Sequence, residues 1–312
     1  MKHKIILDCD PGHDDAVALL LAARHPEIEL LAVTTVAGNQ TVDKTTRNAL
    51  KVCTLAGLRH IPVARGMDRP LLRPARHAAD IHGESGMDGP DVPDPDIEPV
   101  AMHGVDLLIE TLLNSDGDIT LVPTGPLTNV AVAVAVRREP AIVPKIQAIS
   151  LMGGSIGLGN ISPAAEFNIH TDPEAAAIVF ACGRPITVST LEVTHQALAT
   201  EEIVARLRGA NRRVAAFVAD LLVFFAETYR AVFGFEAPPL HDPCAVAAVI
   251  DPNILKAQMM HVEIETAGTW TAGSTVCDVH NVLKKEPNAR VGYGLEVERF
   301  WNMLIETILS YD

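Results

Sequence analysis

Apolar and polar positions along this chain keep two rhythms. Short unbroken apolar runs, of which Ile5-Ile6-Leu7 is the first, read as strands buried on both faces. Longer Ala/Leu-rich stretches, beginning with Ala16 to Arg24, read as helices. Further strands are expected at Glu29 to Val36, Ile61 to Val63, Ile119 to Pro123, Ile146 to Met152 and Ile186 to Thr190. Helices are expected at Asp43 to Ala56, near Val105 to Leu113, from the Thr128-Asn129 turn to about Arg138, and at Pro173 to Ala181. Such alternation predicts an α/β fold: a single open, mostly parallel, Rossmann-like sheet flanked by helices.

The last third changes rhythm. Helices at Glu201 to Arg208 and Arg212 to Arg230 lead to His241-Asp242-Pro243, where another helix begins. Strands at Met259 to Glu265, Thr275 to Asp278 and Arg290 to Gly294 precede a closing amphipathic helix, Val297 to Leu309. Their short connections predict antiparallel additions at one sheet edge. No linker divides the 312 residues, and the Pro-rich stretch Asp88 to Pro99 reads as a surface loop, so residues 1–312 are expected to form one domain.

Composition narrows the field. Hydrophobic residues make up 48% of the chain, enough for a large core. A formal charge of −14 argues against nucleic acid or an anionic membrane as partner, but not against an uncharged nucleoside. The apolar runs are too short to span a bilayer. The 5 cysteines lack CxxC spacing and no signal-peptide pattern is present, so a cytoplasmic setting is expected.

The densest chemistry lies in Asp8-Cys9-Asp10-Pro11-Gly12-His13-Asp14-Asp15, a strand end, a tight turn and the first turn of a helix. One of the last two acids could cap the helix. Four acids with no Lys or Arg between Lys4 and Arg24 need a positive charge, and oxygen ligands without zinc-type Cys/His spacing favour Ca²⁺ or Mg²⁺. Asn39, Thr124, Asn160 and the Glu166-Phe167-Asn168 run also follow expected strands, on the rim where open parallel sheets bind ligands. His82 and His241 read equally well as turn or helix-start residues and as site residues. The aromatic set Phe224, Phe225, Tyr229 and Phe233 reads first as core.

Three readings of these residues stand together. Asp8-x-Asp10 after the first strand resembles an aspartate-based phosphohydrolase, although such enzymes expect Gly-Thr soon after the second Asp, a later Lys and a distal acid pair, whereas here Pro11-Gly12-His13 follows and no distal acid pair stands out. A metal-activated water could instead cleave an N-glycosidic bond. A calcium-stabilised sugar-binding protein would use the same residues without a base.

The set of motifs resembles the inosine–uridine-type nucleoside hydrolases. The likeness runs through the first acidic stretch, Ala37-Gly38-Asn39-Gln40-Thr41, His82 to Gly89, Pro123 to Asn129, Leu151 to Gly154, Ala165 to Asn168 and His241 to Cys244. Within that family the chain is similar to the bacterial pyrimidine-preferring ribonucleoside hydrolases, notably at Asn39-Gln40-Thr41, His82 and Asn160. The resemblance implies Ca²⁺ held by Asp10, Asp15, Asp242 and the carbonyl of Thr124, whose hydroxyl is then expected to be dispensable. It implies Asp10 as general base, and Asp14, Asn39, Asn160, Glu166, Phe167 and Asn168 around the substrate. His241 and His82 become candidates for assisting the leaving base, with Tyr229 lining that end. A small ribonucleoside substrate and a homo-oligomer, tetramer or dimer, are implied as well. Thr190-Leu191-Glu192 departs from the family's usual Gly-Leu-Asp, and the Phe224 to Glu227 segment also differs, which bears on base preference.

Overall fold

A computed structural model describes residues 2–136 and 141–311. Its strands in chain order are β1 (His3–Cys9), β2 (Ile28–Thr35), β3 (Val63–Arg65), β4 (Ile119–Pro123), β5 (Ile146–Met152), β6 (Ile186–Ser189), β7 (Leu255–Met260), β8 (Val262–Ile264), β9 (Thr275–Cys277) and β10 (Ala289–Leu295). Eight of them form one sheet in the order β3-β2-β1-β4-β5-β6-β10-β7. All neighbours are parallel except β10 and β7. The chain moves outward from β1 to β2 and β3, then returns to lay β4 on β1's other side. That reversal opens a crevice beyond the carboxyl ends of β1 and β4, the place where such sheets hold ligands.

The helices begin with α1 (His13–Arg24) and α2 (Val42–Leu55), followed by α3 (Ala79–His82), α4 (Gly104–Leu113) and α5 (Thr128–Ala131). Then come α6 (Phe167–Thr171), α7 (Pro173–Phe180), α8 (Leu191–Thr194), α9 (Glu201–Gly209), α10 (Arg213–Phe233), α11 (Pro243–Ile250) and α12 (Val297–Leu309). Apolar residues from Ala16 to Ala22 are buried all round α1, as in a helix enclosed by others. Phe300, Trp301, Leu304, Ile305 and Ile308 give α12 a single buried stripe. Side chains alternate along β1, so Ile5, Leu7 and Cys9 enter one core with α1 while Ile6 enters the other.

Several expectations need correction. The stretch expected as one strand from Met259 to Glu265 is two. The chain leaves the main sheet at His261, where the Asn288 side chain accepts from the Val262 N–H and donates to its carbonyl. β8 pairs only with β9, in a separate small antiparallel sheet. Of the late strands, β7 is the antiparallel edge; β10 sits inside it, parallel to β6. A Cβ at Gly292 would stand 2.7 Å from Val193 and 2.9 Å from the Val188 carbonyl, so glycine lets β10 close against these neighbours. α3 and α8 are single turns without a readable sequence period, and α10 runs on to Phe233, ending at Gly234 with φ +72°. After α5 a π-helical turn covers Val132–Val136. Arg138, the expected end of that helix, lies outside the described residues.

Candidate active site

The crevice holds a cavity of about 280 Å³ lined by Asp14, Asn39, His82, Thr124, Asn160, Glu166, Phe167, Asn168, Tyr229, His241 and Asp242. Asp10 and Asp15, both buried, adjoin this lining, with Asp10 bonded to Asn39 and Asp15 to Thr124. The residues expected from sequence thus come together.

The acidic floor is built on backbone. Asp15, in the first turn of α1, receives the N–H groups of Gly12 (3.1 Å) and Asp10 (3.3 Å), the Asn39 amide (3.1 Å) and the Thr124 hydroxyl (2.9 Å). It therefore caps α1 and stays inside the acid cluster. The Thr124 hydroxyl is engaged, contrary to the expectation that it would be dispensable. Asp10 accepts the Asn39 N–H at 2.6 Å through Oδ2, whereas its Oδ1 is buried with no hydrogen-bond partner. Gly38 and Gly125 make room for this carboxylate, since a Cβ on either would come within 2.1 Å or 2.4 Å of its oxygens. Asp242 heads α11 with Pro243 in the first turn but makes no cap with its side chain. Carboxylate oxygens of Asp14, Asp15 and Asp242 lie within 4.8 Å of one another instead.

Burial raises every one of these acids. Asp14 is pushed up to about 7, and Asp10 and Asp242 well above the ordinary carboxylate range, by burial first and then by neighbouring acids. A divalent cation is the natural remedy for such a group, and the unpartnered Asp10 Oδ1 is an oxygen suited to one. The donors are all oxygen, so the set fits a hard cation. Asp8 stands apart from this floor. Its Oδ1 takes the Thr34 hydroxyl (2.6 Å) and the Asn129 amide (2.7 Å), and burial raises it to about 7.

The far wall is held differently. Glu166 caps α6 by accepting the Asn168 and Ile169 N–H groups, and also takes Gly154 N–H; burial raises it to about 7. Asn168 donates to the Thr124 carbonyl at 2.7 Å, and Asn160 accepts the Phe167 N–H at 2.9 Å. His241 stands between two hydroxyls, Nδ1 at 2.7 Å from Thr194 Oγ1 and Nε2 at 2.7 Å from Tyr229 OH. Burial pushes its ring down to about 3, so it is neutral. Thr194 carried no local signal in the sequence; only the fold brings α8 beneath α11's start. Phe225, read first as core, is buried and also lines the cavity; Arg76, His77 and Phe233, none of them buried, line it too. Among the described residues no lysine lines it, whereas a phosphohydrolase would need one.

The sequence model of the family described as inosine-uridine preferring nucleoside hydrolase matches residues 5–302. The chain is 49% identical over 312 residues to the pyrimidine-specific ribonucleoside hydrolase RihA of Shewanella sp. (strain MR-7), covering 100% of this chain and 98% of the relative. It is 44% identical over 310 residues to the pyrimidine-specific RihB of Escherichia coli O139:H28, covering 99% and 98%. Among solved structures, a purine-preferring ribonucleoside hydrolase from Gardnerella vaginalis superposes with a TM-score of 0.92 at 33% identity, covering 99% and 98%.

Proposed function

This chain belongs to the inosine-uridine preferring nucleoside hydrolase family, and on that premise we propose that it cleaves pyrimidine ribonucleosides, uridine and cytidine, with calcium in the acidic floor. That it is a ribonucleoside hydrolase follows from the family; base, metal and residue roles are our reading. One observation carries it: a buried carboxylate oxygen, Asp10 Oδ1, is left without a partner beside Asp14, Asp15 and Asp242. Asp10, Asp15, Asp242 and the Thr124 carbonyl would hold the ion. The carbonyl keeps a second lone pair after accepting from Asn168. An ion bound there would make a nearby water more acidic and would polarise the ribose hydroxyls.

Asp10 is the general base that removes the proton of the attacking water. Asp14, Asn39, Asn160, Glu166 and Asn168 hold the ribose, and the negative charge of Asp14 and Glu166 favours the cationic, oxocarbenium-like ribosyl group of the transition state. A 2′-deoxyribose would leave buried acceptors unpaired and is expected to be a poor substrate. At the other end Phe167, His82 and Tyr229 face the base. A neutral His241 has no imidazolium proton to give, and its one ring N–H is engaged with a hydroxyl, Thr194 or Tyr229, rather than with the base. It acts through Tyr229, whose hydroxyl it orients from Nε2.

Pyrimidine preference rests on the sequence relatives, 44–49% identical and named pyrimidine-specific, against 33% for the purine-preferring structure. We read residues 1–312 as one catalytic domain working in a homo-oligomer, and the unpaired cysteines favour a reducing, cytoplasmic setting. Among the described residues, no helix is long and apolar enough to cross a membrane.

Reducing-sugar release from uridine, cytidine, inosine and 2′-deoxyuridine, before and after chelation, tests the proposal. Calcium-dependent release, faster from uridine than from inosine and poor from the deoxyriboside, is expected. Inosine cleaved as fast as uridine would overturn the base preference, and undiminished turnover after chelation would overturn the metal.

A further inference from the structure

His13 opens α1 within the acidic stretch yet takes no part in the floor. Its ring is buried and lies nearly parallel to those of Phe224 (centroids 5.2 Å, 2°) and Phe225 (5.1 Å, 4°). Nε2 lies 2.8 Å from the Asp88 carbonyl oxygen, and Nδ1 lies 3.2 Å from Nδ1 of His82. A carbonyl only accepts, so Nε2 of His13 carries hydrogen. Enclosed by phenylalanine faces and with no carboxylate on either nitrogen, the ring is neutral, which leaves Nδ1 as a bare acceptor. Two lone pairs do not face each other at 3.2 Å, so the hydrogen between the rings belongs to Nδ1 of His82. The His13 backbone N–H also points at that nitrogen, but at 3.5 Å it is the longer and weaker of the two contacts, and the 3.2 Å ring contact sets the hydrogen.

We infer that His13 is a positioning residue that fixes His82 as its Nδ1–H tautomer, so that the cavity receives a lone pair from Nε2 of His82. That nitrogen has no hydrogen-bond partner among the described residues, and its ring lines the cavity. Resting on the nucleoside reading of the cavity, the inference makes His82 an acceptor rather than an acid. It selects bases that offer an N–H: the imide of uracil or the amino group of cytosine. A backbone carbonyl at position 88 thus decides, through two rings, which polarity the base meets.

Long-range ¹H–¹⁵N spectra of the full-length protein labelled with ¹⁵N-histidine read the tautomers directly, with His82 assigned through His82→Gln. Hydrogen on Nδ1 of His82 and on Nε2 of His13 is expected. His13→Phe keeps the ring stack but removes the acceptor and should return His82 towards the Nε2–H form; His13→Asn, with Oδ1 near the lost Nδ1, should restore the first pattern. In kinetics, wild type should favour uridine over 3-methyluridine roughly tenfold in kcat/KM, as for one lost hydrogen bond, with the ratio within about twofold in His13→Phe and recovered in His13→Asn. Hydrogen on Nε2 of His82 in wild type, or an unchanged tautomer in His13→Phe, would overturn the role of His13. Equal use of both substrates by wild type would overturn the acceptor role at the base. Absence of any nucleoside cleavage would count against the proposed function alone, since the spectra decide the tautomer without turnover.

Discussion

The two ends of the cavity are built by different means. The floor is fastened to the sheet: Asp15 and Asp10 receive backbone N–H groups from Gly12, Asp10 and Asn39, all at the carboxyl ends of β1 and β2. The base end is side chain on side chain: Tyr229 on His241 on Thr194, His13 on His82, with the phenylalanines of α10 packed around them. It finishes on the last turn of α10, where Val232 and Phe233 are 47% and 38% exposed. Groups that must keep their places for chemistry are tied to strands, while groups that choose the base hang from a helix end. A change in the floor should therefore stop the reaction, and a change at the base end should alter its preference.

The strongest way to break that contrast is at Asp10. Asp10→Asn keeps the shape but removes the base and a charge from the cation site. Ribose release should fall about a thousandfold or more, the combined scale of general-base and metal assistance. A variant with near-normal turnover and a normal far-UV spectrum would show that the floor is not where the reaction is driven.

Calcium sharpens the same contrast through stability. Asp14 and Glu166 hold their protons up to about 7 in the folded protein, against ordinary values of 3.8 and 4.5. Because the folded state binds these protons more tightly, their contribution to stability is present at low pH and lost as pH rises through about 7. His13 and His241, lowered to about 4 and about 3, act in the opposite sense below 6.5. The difference between calcium-loaded and chelated protein isolates the acids at the ion, Asp10, Asp15 and Asp242 with neighbouring Asp14, all raised by burial, since the ion competes with their protons. At a hundredfold excess over Kd, calcium should add about 2.7 kcal/mol, roughly 5 °C in Tm. The gain should grow from pH 5 to pH 8, as scanning calorimetry would show, and a gain independent of pH would separate the ion from these carboxylates.

How far the site was legible follows the same division. Asp10, Asp14 and Asp15 could be read because a strand end, a Pro-Gly turn and a helix start force consecutive residues to one point. Asn39 and Thr124 could be read because parallel strands deliver their carboxyl ends to one rim. Asp242 was ambiguous, because Pro243 after it is equally the mark of a helix cap. Thr194 and the pairing of His13 with His82 could not be read, since 47 and 69 residues separate partners joined only by tertiary packing. In the sheet, the parallel placement of β10 was missed because strand direction depends on distant partners rather than on connection length.

At the base end, Tyr229→Phe removes the hydroxyl from Nε2 of His241 without changing the packing against Phe225. Turnover of uridine should fall about thirtyfold, about 2 kcal/mol. A 4-nitrophenyl riboside, whose leaving group needs no such help, should change less than about twofold. Equal losses on both would place Tyr229 with the floor and erase the distinction between the two ends.

The smallest effect should come from Thr124, where the two ends meet through Asn168. Its carbonyl is the proposed calcium ligand, and valine would keep that carbonyl and the side-chain volume. The hydroxyl, however, donates to Asp15 Oδ1 at 2.9 Å, leaving the Asp10 N–H at 3.3 Å as that oxygen's other donor. Losing the shorter bond makes the Asp15 carboxylate harder to ionise and orients it less firmly. About 1 kcal/mol is at stake, close to a fivefold weakening of calcium binding by titration calorimetry, with base preference unchanged. Serine at the same position keeps the donor and should bind calcium within about twofold of wild type. If valine and serine weaken calcium equally, the effect comes from packing at the end of β4. If valine alone does, a side chain that the sequence made dispensable is part of how the floor keeps its charge.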